Sequence, residues 1–332
     1  MIRLIGADLD GTFLRNDKSI SRYSEDVVRR FAASGGWFVP VTGRPLEGLP
    51  PALHPLIEEG CIRYAVTSNG AHMYALDGLE RDGSGGAARL RATLLYSREM
   101  TRERTERVID TCRSFLPPEV REGTILEVFS GGRGYHGPKA ESLLMRRFEG
   151  TPVADYLRMS RTIVEDLDAF LREQERGYEN ISVMLPDAGL GGALAAKLSE
   201  DPHTRVIRSL ATDLEIVSAE ADKGAAFLEL ARLLKVPVSG TLALGDGDND
   251  RGLLSAAGTA VVMQGADPAL FRDADYTAGS NEEDGAARAI EALTGLAESA
   301  GRREETIACS GSDCGSGRKD CGSNTIPGNR SR

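Results

Sequence analysis

The stretch ADLDGTFL, residues 7–14, decides the fold, because a short buried strand ends here in two carboxylates. The mostly apolar residues 2–8 contain no turn former, which predicts a strand buried on both faces. Asp8 and Asp10 are two positions apart and project to the same side of an extended chain. Two carboxylates so close repel each other unless a cation lies between them. The stretch therefore predicts a cation at the end of this strand.

In the residues that follow, predicted strands and helices alternate along the chain. An amphipathic helix is predicted to begin at Ser24 and to end at residues 35–36, and buried strands are predicted at 37–41 and 62–67. Strands joined by helices indicate right-handed crossovers and a doubly wound α/β parallel sheet. Ligands of such sheets bind outside the carboxyl ends of the strands, so the functional residues should lie there.

This alternation of strands and helices stops in the middle of the chain and starts again with a predicted strand at 214–217. Residues 84–210 mix helical and strand-like segments, which predicts an inserted α+β cap domain. The core domain is then discontinuous and consists of residues 1–83 and 211–298. Residues 299–332 are rich in Ser, Gly and Arg without an apolar period and are predicted to be a disordered tail.

The composition excludes some classes of partner. The 332 residues contain 50 Asp and Glu against 40 Lys and Arg, a formal net charge of −10. Nucleic acid and anionic membranes bind basic surfaces, so neither is expected as the main partner. No apolar run approaches the roughly 18 residues of a membrane span, and Arg3 and Asp8 interrupt the N-terminal run too early for a signal peptide. We expect a cytoplasmic protein with a small-molecule partner, and the oligomeric state is left open.

Polar residues at four predicted strand ends form a candidate site. They are Asp8 and Asp10, Thr42 and Gly43, Lys223, and Asp246, Asn249 and Asp250. Mg²⁺ prefers a few carboxylates together with water and substrate phosphate, so Asp8 with Asp246 or Asp250 predicts a magnesium site. The Thr42 hydroxyl, the backbone amides around Gly43 and the ammonium group of Lys223 could bind phosphate oxygens.

The spacing of Asp8 and Asp10 indicates catalysis in addition to metal binding. Asp8 can attack phosphorus as a nucleophile and form an acyl phosphate. Asp10 can protonate the leaving group and then deprotonate the attacking water. A glycine at position 11 lets the chain turn sharply next to the ligand.

Four motifs in this order resemble those of the haloacid dehalogenase (HAD) superfamily. They read DLDGT at 8–12, VTGR at 41–44, DKG at 222–224 and GDGDND at 245–250. The stretches SNGA at 68–71, LEI at 214–216 and EDGAA at 283–287 are similar to its Cof-type branch, subfamily IIB. In that branch a large α/β cap is inserted after the third strand of a Rossmann-like core. The resemblance covers about residues 1–298.

The resemblance implies a Mg²⁺-dependent phosphatase that acts on a small phosphorylated metabolite, such as a sugar phosphate. It implies that Asp8 is the nucleophile that becomes an aspartyl-phosphate, and that Asp10 is the acid/base. Asp246 and Asp250 would complete the metal site, to which Asp10 would contribute its backbone carbonyl.

The same resemblance implies the phosphate contacts. Thr42, Gly43 and Lys223 would hold the transferring phosphoryl group. Asn249 would contact oxygens of the substrate or of metal-bound water.

Two other functions stay open at this point. A phosphomutase would use the same aspartyl-phosphate and return the phosphoryl group to a sugar instead of to water. A non-catalytic sensor of phosphorylated metabolites would bind without turnover, although it has no need of both Asp8 and Asp10. An EF-hand starting at Asp246 is excluded, because its sixth and twelfth positions are Arg251 and Ala257 instead of Gly and Glu.

Two further stretches have ambiguous patterns. The loop GGRGYHG at 131–137 could place Arg133 against a second anionic group of the substrate, or it could be a flexible surface loop. The tail cysteines Cys309, Cys314 and Cys321 lack the paired spacing of a zinc site and are expected to have no function.

Overall fold

A computed structural model describes residues 1–81, 88–272, 274–296 and 308–309, with Ser209 and Leu210 described by their backbone alone. The strands are β1 Leu4–Ala7, β2 Trp37–Pro40, β3 Tyr64–Thr67, β4 His72–Glu80, β5 Arg89–Ser97, β6 Ile125–Ser130, β7 Arg133–His136, β8 Arg161–Ile163, β9 Asn180–Met184, β10 Thr204–Leu210, β11 Asp213–Ser218, β12 Thr241–Gly245, β13 Ala260–Met263, β14 Tyr276–Ala278 and β15 Ala308–Cys309.

The α-helices are α1 Arg22–Ala33, α2 His54–Glu58, α3 Arg102–Phe115, α4 Pro118–Gly123, α5 Pro138–Phe148, α6 Pro152–Ser160, α7 Leu167–Glu173, α8 Gly191–Leu198, α9 Lys223–Leu233, α10 Arg251–Ala256 and α11 Gly285–Thr294. Helix α1 begins two residues before its predicted start, because the Ser21 side chain caps it by accepting a hydrogen bond from the Ser24 amide. Among the described residues, no helix is both long and apolar enough to span a bilayer.

The described chain divides into two compact units. The first unit consists of the described parts of Met1–Pro40 and Phe227–Arg332. Its sheet has the order β15-β14-β13-β12-β1-β2, and every pair except β14 with β15 is parallel. Strand β1 is buried along its whole length, as expected for a parallel strand covered on both faces. The prediction of an α/β protein with a parallel central sheet is confirmed.

The second unit, Val41–Ala226, contains two further sheets. Strands β3, β4 and β5 form a three-stranded antiparallel sheet. The other sheet has the order β10-β11-β9-β6-β7-β8 and is antiparallel except between β7 and β8; we call it the antiparallel sheet. Side chains of α3, α7 and α8 pack on one of its faces, and side chains of α5 and α6 pack against Ile125 and Met184 on the other.

Two strands differ from the predicted parallel arrangement. Strand β3 is connected to Val41 by a single parallel bridge at Val66, but its ladder is with β4, because the turn at Ser68–Gly70 folds the chain back as a hairpin. Strand β11 pairs with β9 and β10 in the antiparallel sheet. The domain boundaries at 84 and 210 remain a prediction.

The predicted tail contains one described element. Ala308–Cys309 form β15 and pair with Tyr276 and Thr277 of β14. The remaining residues of 299–332, including Cys314 and Cys321, lie outside the described residues.

Candidate active site

An acidic cluster lies at the ends of two neighbouring strands of the first unit. Asp8 follows β1, and Asp246 and Asp250 follow β12, which pairs with β1 in parallel. One carboxylate oxygen from each of the three residues lies within 4.8 Å of the others. Asp8 and Asp250 are buried, so three negative charges meet where little water can screen them. This set of hard oxygen donors fits a divalent cation such as Mg²⁺.

Hydrogen bonds fix the shape of this cluster. Asp250 Oδ2 accepts from the backbone amides of Asp246 and Gly247, each at 3.0 Å, and Thr12 Oγ1 donates to Asp246 Oδ1 at 2.7 Å. Gly11 has a φ of +83°, and a Cβ at this position would lie 2.3 Å from Asp246 Oδ2. Glycine is therefore required at position 11 both by the turn and by the closeness of the carboxylate.

Asp10 lies outside the carboxylate trio and pairs with a lysine that the sequence pattern did not identify. Lys18 Nζ donates to Asp10 Oδ1 at 2.8 Å, and both side chains are more than a third exposed. Lys18 has a φ of 67° in a tight turn, which directs its side chain back to the strand end. The signal in the sequence that could have identified Lys18 was the rarity of lysine, since the chain has only six lysines and one of them lies close to Asp10. Asn249 lies half-buried in the turn between Asp246 and Asp250, and its contact with substrate oxygens remains a prediction.

The predicted phosphate-binding residues lie in the second unit, around the turn Ser68–Gly70. The backbone N–H of Asn69 donates to the Thr42 carbonyl at 3.1 Å. A Cβ added at Gly43 would lie 3.1 Å from the side-chain oxygen Asn69 Oδ1. Gly70 has a φ of +89°, and its added Cβ would lie 2.6 Å from the Lys223 amide nitrogen. Thr42, Gly43 and the start of α9 are therefore brought together by these backbone contacts. The Lys223 side chain is fully buried, so its ammonium group requires an anion nearby.

The family model of haloacid dehalogenase-like hydrolases matches residues 5–290 of this chain. The chain belongs to the haloacid dehalogenase-like hydrolase family. A putative phosphatase of Streptococcus pyogenes is 26% identical over 295 residues, which are 87% of this chain and 97% of the relative. The 5-amino-6-(5-phospho-D-ribitylamino)uracil phosphatase YitU of Bacillus subtilis is 26% identical over 290 residues, 86% of this chain and 95% of the relative.

A solved structure supports the same conclusion for the fold. The HAD subclass IIB sugar phosphatase BT4131 superposes with a TM-score of 0.68 at 16% identity, over 88% of this chain and 99% of that protein. The predicted superfamily with its Cof-type branch and the prediction of a phosphatase are confirmed at this level.

The second unit of this HAD hydrolase contains a buried ionic cluster around His72. Its Nε2 lies 2.8 Å from Glu99 Oε1, and its Nδ1 lies 3.3 Å from Glu179 Oε1. Glu179 is fully buried and also accepts from Ser68 Oγ at 2.6 Å. Burial of the imidazole opposes its protonation, but the hydrogen bonds and charges of Glu179 and Glu99 outweigh burial and raise the pKa of His72 to about 9. His72 is therefore a buried cation that ties the Ser68–Gly70 turn to Glu179.

A second buried cluster joins three strands of the antiparallel sheet. Glu127 Oε1 lies 3.0 Å from His136 Nδ1 and accepts from Arg161 Nε at 3.1 Å. Burial would raise the pKa of Glu127, but the charge of Arg161 and the contact with His136 lower it to about 2. Burial likewise opposes protonation of His136, yet its hydrogen bonds with Glu127 and Glu141 raise its pKa. The carboxylate, the guanidinium and the imidazole therefore stabilise one another in their charged forms.

The connection between β6 and β7 is the pair Gly131 and Gly132, both with positive φ, whereas Arg133–His136 form β7 itself, so the prediction of a flexible surface loop over GGRGYHG is wrong for these four residues. The Arg133 guanidinium donates to the backbone carbonyl of Arg161 at 2.7 Å and forms an ion pair with Glu47. The two terminal nitrogens of Arg133 are thus used within the protein, whereas its buried Nε has no partner among the described residues, and a contact of Arg133 with a second anionic group remains a prediction.

Proposed function

We propose that this hydrolase is a Mg²⁺-dependent phosphatase that acts on a small phosphorylated metabolite, such as a sugar phosphate, through an aspartyl-phosphate. The observation that carries the proposal is the trio Asp8, Asp246 and Asp250, whose carboxylate oxygens lie within 4.8 Å of one another at adjacent strand ends. Membership of a hydrolase family with phosphatase relatives supports it. Residues 84–210 would be the inserted cap domain.

The trio and the backbone carbonyl of Asp10 would hold the metal ion. When bound, Mg²⁺ would neutralise the carboxylates and withdraw charge from the phosphate oxygens. The hydrogen bond from Thr12 and the amides of Asp246 and Gly247 keep the carboxylates oriented for this role.

Asp8 supplies the attacking oxygen. A bond forms between its carboxylate and phosphorus, the bond from phosphorus to the leaving oxygen breaks, and the Asp10 carboxyl gives that oxygen a proton. Asp10 then takes a proton from water, whose oxygen attacks phosphorus and releases phosphate and free Asp8. The hydrogen bond from Lys18 Nζ to Asp10 Oδ1, at 2.8 Å, orients the Asp10 carboxyl group for these two proton transfers.

Thr42, Gly43 and Lys223 would bind the phosphoryl oxygens. A hydroxyl, a backbone amide and an ammonium group all donate hydrogen bonds, and the positive charge of Lys223 offsets the charge that develops in the transition state. Asn249 would add an amide contact. These roles use every residue of the predicted site.

Phosphate release measured over a panel of phosphorylated metabolites tests the proposal. We expect turnover with Mg²⁺, none with EDTA, and a loss of at least roughly 10³-fold in Asp8→Asn. Asp248→Asn is the matched control, because Asp248 lies in the same acidic turn but is exposed and pairs with Arg251 at 3.1 Å. Retention of more than a tenth of the activity in Asp8→Asn would show that the nucleophile is another group. Trapping ³²P on the acid-quenched wild-type protein, and not on Asp8→Asn, checks the intermediate directly.

A further inference from the structure

The second unit contains a cavity that includes none of the candidate active-site residues. It is lined by residues of the antiparallel sheet and of helices α3, α4, α5 and α7, and its volume is about 580 Å³. Sites for small organic molecules have volumes of roughly 300–1,000 Å³. The cavity is therefore large enough for a ligand of that class.

This cavity lies away from the predicted phosphate-binding residues. Leu126 of β6 and Val183 of β9 lie opposite each other and line the cavity. Ser68, next to those residues, donates to Glu179, which lies four residues before Val183. With a rise of about 3.3 Å per residue, the two places are about 13 Å apart along the strand. A ligand in the cavity would thus occupy a separate site.

The floor of the cavity is apolar. It is formed by the side chains of Leu116, Leu126, Leu167 and Val183, together with the thiol of Cys112. Burial raises the pKa of the Cys112 thiol to about 12, so the thiol is uncharged at neutral pH. Protein interiors are normally close-packed, and leucine side chains that face an open cavity gain contacts when an apolar group fills it. The floor therefore suits the apolar body of a ligand.

The rim of the cavity is basic. Two of its three cations have acidic partners, because Arg113 pairs with Asp168 at 2.8 Å and Lys139 pairs with Glu122 at 2.5 Å. The third cation, Arg121, forms no salt bridge with any residue that the structure describes. One positive charge on the rim is thus left without a compensating acid.

The start of α5 adds hydrogen-bond donors to the same rim. Its N-cap residue, Gly137, has no side chain to cap the helix. The backbone amides of Lys139 and Ala140 have no acceptor within the described part of the chain, and both residues line the cavity. Free amides in the first turn of a helix favour an anion. They therefore act in the same direction as the charge of Arg121.

We propose that this cavity binds a small organic monocarboxylate with an apolar body. The carboxylate lies between Arg121 and the start of α5, and the apolar body covers the leucines of the floor. A phosphate monoester fits less well, because its charge of about −1.5 to −2 exceeds the single uncompensated charge of the rim. The inference goes beyond the proposed phosphatase function and does not depend on it.

Calorimetric titration of the full-length protein tests the proposal. The probes are octanoate and 4-phenylbutyrate, which combine one carboxylate with a flexible or an aromatic apolar body. Octan-1-ol and 4-phenylbutan-1-ol are the neutral counterparts, and acetate is the carboxylate without an apolar body. We expect saturable binding of at least one of the two carboxylates, with a lower Kd than those of its alcohol and of acetate.

Two substitutions locate the bound probe. Arg121→Gln should raise the Kd by roughly fivefold, whereas Arg107→Gln is the control, because Arg107 is an exposed arginine of α3 that does not line the cavity. Gly137→Phe should abolish binding by filling the cavity. Position 137 has an ordinary φ of −82°, and nothing lies within 4 Å of its Cβ, so the ring is accommodated without backbone strain. Gly137→Ala, which is too small to fill the cavity, should leave the Kd unchanged.

Three results would overturn the inference. The first is that neither carboxylate binds to the wild-type protein. The second is that the alcohols bind as tightly as the carboxylates, since the rim then selects no anion. The third is a Kd that stays the same in both Gly137→Phe and Arg121→Gln, because the probe then binds elsewhere. Phosphate release is not part of this measurement, so failure of the proposed function would leave the binding result unaffected.

Discussion

Raising the pH through 9 should destabilise this HAD hydrolase by removing the proton from His72. The imidazole side chain is only 1% exposed and lies between Glu99 and the buried Glu179. Deprotonation would leave Glu179 in the interior without its cation. Because Ser68 and the Gly132 amide also donate to Glu179, the carboxylate cannot turn towards water without breaking those hydrogen bonds.

The magnitude follows from the pKa of His72, which rises from 6.5 to about 9 on folding. Each pKa unit corresponds to about 1.4 kcal/mol, so protonation contributes about 3 kcal/mol as an upper value. A pKa that is higher in the folded state gives stability that is fully present below pH 6.5 and is lost as the pH rises through 9.

Urea unfolding between pH 6 and pH 10 measures this contribution. The difference in the free energy of unfolding between wild type and His72→Gln should shrink by about 3 kcal/mol over that range. His54→Gln is the control, because burial lowers the pKa of His54. The contribution of His136 is present in every variant and cancels in the difference.

NMR gives an independent reading, because the chain has only four histidines to assign. A His72 imidazole resonance that titrates between pH 6 and pH 7 would refute the reasoning. So would a stability difference from His72→Gln that stays constant with pH.

Two substitutions near the site have defined outcomes. Gly70→Ala should lower the free energy of unfolding by more than about 2 kcal/mol, because φ is +89° and the new Cβ would lie 2.2 Å from the Asp222 carbonyl carbon. Gly137→Ala, with nothing within 4 Å of its Cβ, should cost under about 1 kcal/mol, and equal losses in urea unfolding would contradict the steric account. Thr12→Val removes the 2.7 Å hydrogen bond to Asp246. The Mg²⁺ concentration for half-maximal activity should rise by roughly tenfold, and an unchanged requirement in a metal titration would show that the bond does not orient the metal ligand.

The acidic trio could be predicted from the sequence because parallel strands present their carboxyl ends at one edge. Asp8 and Asp246 follow two short apolar runs, and the pairing of β1 with β12 brings them together. Lys18 was missed since its approach to Asp10 depends on a positive φ, which a lysine rarely adopts and a sequence pattern does not reveal.

The antiparallel sheet shows where sequence patterns fail. The alternation in LEI at 214–216 is typical of an antiparallel strand with one polar face, whereas its position before a predicted helix favours a strand of the parallel sheet, and the structure shows the antiparallel pairing. Glu127 and Asn180 also alternate with apolar neighbours, a pattern that normally places polar side chains in water. Both are buried by packing from distant parts of the second unit, and local spacing contains no information on that packing.

The buried contacts of Glu127 with His136 and Arg161 restrict how the sequence of the second unit can change over evolution. Removing one member leaves a charge in the interior at a cost of about 3–5 kcal/mol, whereas replacing the set together by apolar residues can be nearly neutral. The effect of a substitution at one of these positions therefore depends on the residues at the other two. A change at one position alone destabilises the protein. A library that redesigns this part of the interior should therefore vary all three positions together.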